Sequence, residues 1–241
     1  MDYEQEMDEY VESHMSSRRI MLRKCLKYAF RTVVFAIIAL LLWRVFLSDR
    51  VPGGMKTLLV DDATYAAYEA QGELTLYTQT QDKLIVNGDT AGYFWVSQAV
   101  FIPEASQVQI LVRYNNSTLE HIAEDFKLDG VPNRESTVID VTLRVRYAAD
   151  ESGEVREERY YAAQPPVSDS TLMYNYRKLV FDGLDVDASV SEILVDFYYV
   201  DRVNYEKLPY GTLLVYDSES DNEPIRLSAR DKKALKAYGE S

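Results

Sequence analysis

Thr137–Tyr147 reads TVIDVTLRVRY, and its alternation decides the fold class. Ile139, Val141, Leu143, Val145 and Tyr147 fall on one side of an extended chain, with Asp140, Thr142, Arg144 and Arg146 on the other. Successive side chains of a strand point to opposite faces, so a run of this pattern is a strand packed on one face and wetted on the other, as in an antiparallel sheet. Glu151-Ser152-Gly153-Glu154 then supplies a turn, and Val155–Ala163 returns as the second arm of a hairpin.

Outward from this hairpin the pattern recurs. Gln107–Tyr114 sets Val108, Ile110, Val112 and Tyr114 against Gln107, Gln109 and Arg113. Further strands are expected at Glu73–Thr80, Tyr93–Ile102, Met173–Phe181, Glu192–Val200, Gly211–Tyr216 and Ile225–Leu227. Helical pattern is thin: Asp62–Ala70, Leu119–Phe126 and a last helix Arg230–Tyr238, capped by Ser228 with Asp231 three residues on. Roughly seven to ten short strands with few helices point to a mainly β fold, an antiparallel β-sandwich of immunoglobulin-like or jelly-roll type. A closed barrel is the second choice, and neither architecture indicates a function.

Before the strands comes a segment of another kind. Thr32–Trp43, TVVFAIIALLLW, has no charge, and the weaker apolar stretch around it runs from Tyr28 to Leu47. Twenty helical residues rise about 30 Å, the hydrocarbon thickness of a bilayer. Arg31 and Arg44 lie near the ends, where a long side chain reaches the headgroups. The run is apolar on every side, which suits lipid better than the one-sided core of a soluble domain. Residues 28–47 are thus expected to be a transmembrane signal anchor in contact with membrane lipid. Arg18, Arg19, Arg23, Lys24, Lys27 and Arg31 precede it, against Arg44, Arg50 and Lys56 after it. The excess of bases on the leading side places the N-terminus in the cytoplasm and the C-terminal part outside. No A-x-A-like cleavage site follows the span.

The expected organisation is a charged cytoplasmic tail at 1–27, the span at 28–47, a linker at 48–55 that includes VPGGM, the exported domain at 56–228, and a short C-terminal helix or tail at 229–241. The acidic half of the first tail is read as solvated, and the basic half as resting on anionic lipid. Cys25, the single cysteine, falls on the cytoplasmic side and is read as a small apolar filler at the membrane edge. An exported domain without disulfides must rely on its own core, which fits a bacterial cell envelope. On the same ground Asn115-Asn116-Ser117-Thr118 is read as a turn rather than as glycosylation sites.

Charge excludes one class of function. Residues 51–241 hold 18 bases and 32 acids, a net of -14 in a chain of net -13. Neutralising phosphates needs a basic face, so no nucleic-acid partner is expected. Catalytic signals are equally sparse. His121 is the only histidine after the span, beside Glu120 and Glu124, with no G-x-S-x-G and no exported cysteine. No enzyme activity and no catalytic residue are expected.

Two acidic loops and the tyrosines remain. Asp217-Ser218-Glu219-Ser220-Asp221-Asn222-Glu223 spaces carboxylates as a calcium loop does, although a strand at Ile225–Leu227 is expected to follow directly and position twelve is Ser228. Asp182-Gly183-Leu184-Asp185-Val186-Asp187 is the second such cluster. Asp217, Glu219, Asp221, Asp185 and Asp187 are therefore the candidate calcium ligands, and otherwise form solvated turns. Sixteen of the 19 tyrosines follow the span, among them the adjacent pairs Tyr160-Tyr161 and Tyr198-Tyr199. In each pair one ring points to the core and one away, so one of the two is available to an interface or ligand. The expected role is a membrane-anchored exported binding or scaffold protein acting through a protein partner in the envelope. The alternative is a surface glycan-binding module using exposed Tyr, with calcium.

Overall fold

The computed structural model describes residues 17–48, 51–79, 95–133, 139–149, 153–163, 166–187, 189–201, 206–220 and 223–240. The chain separates into two units, Met1–Arg50 and Val51–Ser241.

In the first unit, helix α1 spans Ser17–Ser48 without a break. Within it Met21–Trp43 has a mean hydropathy of 2.0, is long and apolar enough to cross a membrane, and has no residue buried. The Thr32 hydroxyl donates to the Tyr28 carbonyl at 3.0 Å, so the one hydroxyl of the uncharged stretch is satisfied within the helix. The basic half of the expected tail is helical from Ser17, and the acidic half lies outside the described residues.

The second unit is mainly β. Its elements are α2 (Gly53–Lys56), α3 (Asp62–Gln71), β1 (Thr75–Gln79), β2 (Trp95–Ile102), a 3-10 turn (Pro103–Ala105), β3 (Gln107–Tyr114), α4 (Asn116–Asp125), β4 (Ile139–Tyr147), β5 (Glu157–Tyr161), β6 (Val167–Ser170), β7 (Asn175–Phe181), β8 (Val190–Val200), β9 (Lys207–Asp217), β10 (Ile225–Arg226) and α5 (Ala229–Gly239). They form two antiparallel sheets, one ordered β10-β1-β2-β3-β7-β6 and the other β5-β4-β8-β9. The arrangement is sandwich-like, and among the described residues no barrel closes.

The shared core lies between the sheets. Val108, Ile110, Val112 and Tyr114 of β3 meet Val141, Leu143, Val145 and Tyr147 of β4, with Ile193, Val195 and Phe197 of β8 and Leu213 and Val215 of β9. These are the positions that period two assigns to the inner face, and burial of that apolar surface is what holds the sheets together.

The other face of the six-stranded sheet departs from the sequence reading. Gln107 and Gln109, expected on a wetted side, are 0% and 2% exposed. The cause is the segment expected to be a free linker together with the residues that follow it. Val51–Asp61 crosses this face: Met55 is 3% exposed and packs on Leu111 and Tyr176, and Leu58 joins Leu74, Leu76, Val100 and Ile102. Three buried polar side chains, Gln107, Gln109 and Lys178, are matched to this strap. The Gln109 side chain accepts from Leu59 N–H at 2.8 Å and donates to its carbonyl at 2.7 Å. Gln107 Nε2 donates to Asp61 Oδ2 at 2.6 Å, and Lys178 Nζ to the Thr57 carbonyl. Unmatched, each would cost the free energy of its desolvation.

The expected C-terminal helix packs here as well. Ser228 and Asp231 form a capping box, and Asp231 Oδ1 also accepts Leu58 N–H at 2.8 Å. Leu235 is 1% exposed, and the Tyr238 hydroxyl donates to Asp62 Oδ1 at 2.6 Å. The Asn-rich stretch read as a turn is a helix start: Asn115 accepts from Thr118 N–H at 3.0 Å and caps α4. Strand β6, VSDS, has no apolar alternation, and backbone pairing with β7 alone reveals it.

Candidate interaction face

The outer face of the four-stranded sheet is different. Among the described residues no helix packs broadly on it, and Leu194, Tyr198 and Leu214 belong to none of the core clusters. The strand register fixes which side chains share it. Thr142 lies between Tyr161 and Asp196, Arg144 between Arg159 and Leu194, and Arg146 between Glu157 and Glu192. On the far side Asp196 faces Thr212 and Leu194 faces Leu214.

Ion pairs knit this surface across the strands. Arg144 grips Asp196 with two parallel hydrogen bonds of 2.5 and 2.9 Å, and the Thr212 hydroxyl donates to Asp196 Oδ1 at 2.8 Å. The Arg144 and Asp196 side chains are only 18% and 15% exposed, so neighbours shield this pair from solvent. Arg146 donates to Glu157 at 3.1 Å and to Glu192 at 3.0 Å. The hydrogen bond from Arg146 holds the Glu157 carboxyl below its usual range, with Arg144 and Arg159 adding to the effect. The hydrogen bond to Asp196 raises the Arg144 guanidinium further. Planar, two-pronged contacts of this kind fix side chains in one geometry.

The tyrosine pairs divide as alternation requires. Tyr160 and Tyr199 turn inward: Tyr199 is 6% exposed and stacks on Phe126 at 6.4 Å. The Tyr160 hydroxyl donates to Glu158 at 2.6 Å and accepts Asp185 N–H at 2.9 Å, and burial raises the affinity of the phenol for its proton. Tyr161, 67% exposed, and Tyr198, half-buried, turn outward. Strand β4 runs between them, with Tyr161 opposite Thr142 and Tyr198 opposite Asp140. Strands lie about 4.8 Å apart, so two rings on alternate strands flank a slot roughly 10 Å wide. Asp140 lies in it, ion-paired to Lys207 Nζ, which that contact holds protonated above the ordinary lysine range.

The acidic loops are engaged locally. The Asp185 carboxylate binds Arg156 Nη2 at 2.7 Å, and its carbonyl accepts the Tyr147 hydroxyl at 2.8 Å. The Arg156 guanidinium in turn lies 3.7 Å from the centre of the Tyr147 ring. Asp187 Oδ1 accepts from the Ser189 N–H and hydroxyl, at 2.8 and 2.5 Å, which lowers its carboxyl. Asp217 accepts from Glu219 N–H at 2.9 Å and from the Ser220 hydroxyl at 2.8 Å. Glu219 is exposed, and Asp221 lies outside the described residues. Among the described residues no three His, Cys, Asp or Glu side chains converge as a metal site would require. Asp217 and Glu219 instead edge an open depression of ≈ 800 Å³ that Arg146, Glu157 and Glu192 also line. His121 lies on the surface of α4, 3.8 Å from Glu124.

No protein-family model, curated protein or solved structure matches this chain. The chemistry of the face therefore has to speak for itself. Of the four tyrosines singled out from the sequence, Tyr161 and Tyr198 turn to this face, beside Arg144, Asp196, Glu157 and Lys207, which the sequence did not single out. The outward side of β4 marked Arg144 as exposed, yet nothing in the chain tells which acid, some fifty residues away, the register will bring opposite it.

Proposed function

We propose that this protein is a membrane-anchored binding or scaffold module, held by one pass of α1 with its N-terminus in the cytoplasm, that presents the bare face of the four-stranded sheet to a protein partner in a cell envelope. The observation that carries this reading is the unequal coverage of the two sheets. Among the described residues, strands β1, β2, β3 and β7 of the six-stranded sheet are covered on both faces, by the core and by the strap, whereas the outer face of the four-stranded sheet carries no core cluster. The bare face combines Tyr161, Tyr198, Leu194 and Leu214 with pre-ordered Arg and carboxylate groups, the mixture of aromatic, aliphatic and Arg side chains that protein interfaces favour. Orientation follows from the excess of bases before the span. The finer fold assignment, immunoglobulin-like or jelly-roll, belongs to the same proposal. It is supported by the β3–β4, β5–β6, β7–β8 and β9–β10 connections, each of which passes from one sheet to the other, as long connections do in both types.

The glycan-binding reading uses the same surface, because Tyr161 and Tyr198 flanking Asp140 and Lys207 offer stacking faces beside polar groups. One experiment separates the two. The full chain, native or with Tyr161→Ala and Tyr198→Ala together, is used to recover partners from its own membranes and is applied to a glycan array. A stoichiometric protein recovered by the native chain and lost by the double variant supports the scaffold. Glycan retention without such a protein supports the alternative, and recovery unaffected by the double variant rules out this face. Protease added to whole cells is expected to reach the C-terminal part. Full protection would remove the exported assignment.

A further inference from the structure

Where the chain enters the second unit, Val51 packs beside Tyr174 onto Met55, Leu111 and Tyr176. The adjoining surface is aromatic and cationic. The Arg113 guanidinium lies 5.1 Å from the centre of the Trp95 ring and 5.0 Å from that of Tyr174, within reach of a favourable cation–ring interaction. The Trp95 and Tyr174 rings meet edge to face at 5.7 Å, and Tyr174 leans on Tyr176 at 6.4 Å. Next to them the β6–β7 turn holds out two apolar side chains, Leu172 at 59% and Met173 at 45% exposure. A hydrogen bond of 2.8 Å from Thr171 N–H to the Tyr174 carbonyl closes that turn and fixes it against the cluster. Neither side chain belongs to a core cluster.

Chain length limits what lies against this surface. Helix α1 ends at Ser48, and the three backbone steps from there to Val51 reach at most about 11 Å. The apolar window ends five residues earlier, at Trp43, and five helical residues rise about 7.5 Å. The polar layer of one leaflet is roughly 5 to 8 Å deep. Once α1 spans a bilayer, Val51 therefore emerges no more than roughly 10 to 14 Å beyond the headgroups, and the side chains around Val51 emerge with it.

We propose that Trp95, Arg113, Leu172, Met173 and Tyr174 form a membrane-seating patch that rests in the headgroup and acyl boundary of the bilayer spanned by α1. The inference rests on the single-pass reading given above. Its chemistry matches that boundary: Trp and Tyr rings favour the interface, where one side is apolar and the other wet, a guanidinium meets lipid phosphate, and Leu and Met reach the first acyl carbons. With a net charge of -14 on residues 51–241, attraction to anionic lipid is not the driving force, so a zwitterionic bilayer suffices. Seating also adds a second point of attachment to the tether, which restricts how the unit can tilt.

The test uses the full chain in phosphatidylcholine vesicles. One sample carries an environment-sensitive fluorophore on native Cys25. Two others carry it, in a Cys25→Ser background, on Leu172→Cys or, as a control, on Tyr161→Cys. All three positions are exposed, and matching circular dichroism spectra establish that the labelled chains are folded alike. The patch predicts quenching of the Leu172→Cys label by lipids with nitroxide near the headgroup that is at least about twofold stronger than for the Tyr161→Cys label, with a blue-shifted emission. Equal quenching at both positions, with the Cys25 label quenched, overturns the patch and leaves the anchor standing. Absence of quenching at Cys25 as well overturns the anchor, and the patch with it.

Discussion

The two sheets of the second unit are built from the same kind of strand and end in opposite situations. On β3 the residues alternate with Val108, Ile110, Val112 and Tyr114, and on β4 with Val141, Leu143, Val145 and Tyr147, so each strand turns one apolar face into the common core. On their other faces the polar side chains have different fates. Gln107, Gln109 and Lys178 lie beneath the Val51–Asp61 strap, bonded to its backbone or to Asp61, whereas Arg144, Arg146, Glu157 and Asp196 bond to one another at the surface. A polar residue on the second face of a strand thus marks a covered face when its partners belong to another segment laid across the strands. It marks an open one when its partners are its cross-strand neighbours.

If the strap is a true layer of the fold, removing its apolar anchor should have the largest effect. Leu58→Ala is expected to destabilise the full chain in detergent micelles by about 3 kcal/mol in urea titration, from lost burial and the cavity left behind. A change under about 0.5 kcal/mol would make the strap a surface adornment and erase the contrast between the sheets.

Lys178 tests the same layer through pH. Its ammonium is desolvated beneath the strap, which pushes its pKa down to about 8. The unfolded chain holds that proton up to about pH 10.4, so between the two values the unfolded state binds more protons and stability rises with pH. Relative to Lys178→Met, the native chain should gain on the order of 2 to 3 kcal/mol across that window, and the difference should be flat from pH 6 to 7. Parallel stability curves for the two chains across pH 8 to 10 would show Lys178 to be solvated instead.

On the open face smaller numbers are expected. A double-mutant cycle on Arg144→Ala and Asp196→Ala should give a coupling of about 1 kcal/mol, larger than for a freely exposed pair because both groups are shielded and doubly bonded. Glu157 should contribute less than about 0.5 kcal/mol, since salt and water screen it. Its carboxyl is held low, so that contribution is present above the ordinary glutamate range and disappears as pH falls through the lowered value, a loss that Glu157→Gln should abolish in acid titration. Tyr161→Ala should change stability least, by under about 0.5 kcal/mol, because its ring makes no core contact. A loss above 1 kcal/mol there would mean that the ring is part of the fold and not of an interface.

Much of the strand layout is legible in the sequence because period two is a local property. The core sides of β3 and β4, the division of each tyrosine pair into one inward and one outward ring, and the Ser228–Asp231 cap all follow from spacing along a few residues. Strand β6 escaped because VSDS has no alternation to read, and its pairing with β7 is a main-chain matter. The strap escaped for a different reason. VPGGM has the composition of a linker, and only the apolar floor made by Leu111 and Tyr176 gives Met55 somewhere to go. On the acidic loops the spacing suggested hard-cation ligands, while the structure shows Asp185 beside Arg156 and Asp187 and Asp217 bonded within their own turns.

By itself, then, the sequence determined the apolar helix, the β character of the rest, the faces of its strands and the acidity of the second unit, all of which depend on residues close together in the chain. Only the tertiary structure decided which sheet is covered on both sides, which acid meets Arg144, and which aromatic side chains gather around Val51. Those outcomes depend on pairings between segments tens to more than a hundred residues apart. No local pattern encodes them, because the contacts are set by how whole layers stack and by the register each strand adopts to bury its apolar face.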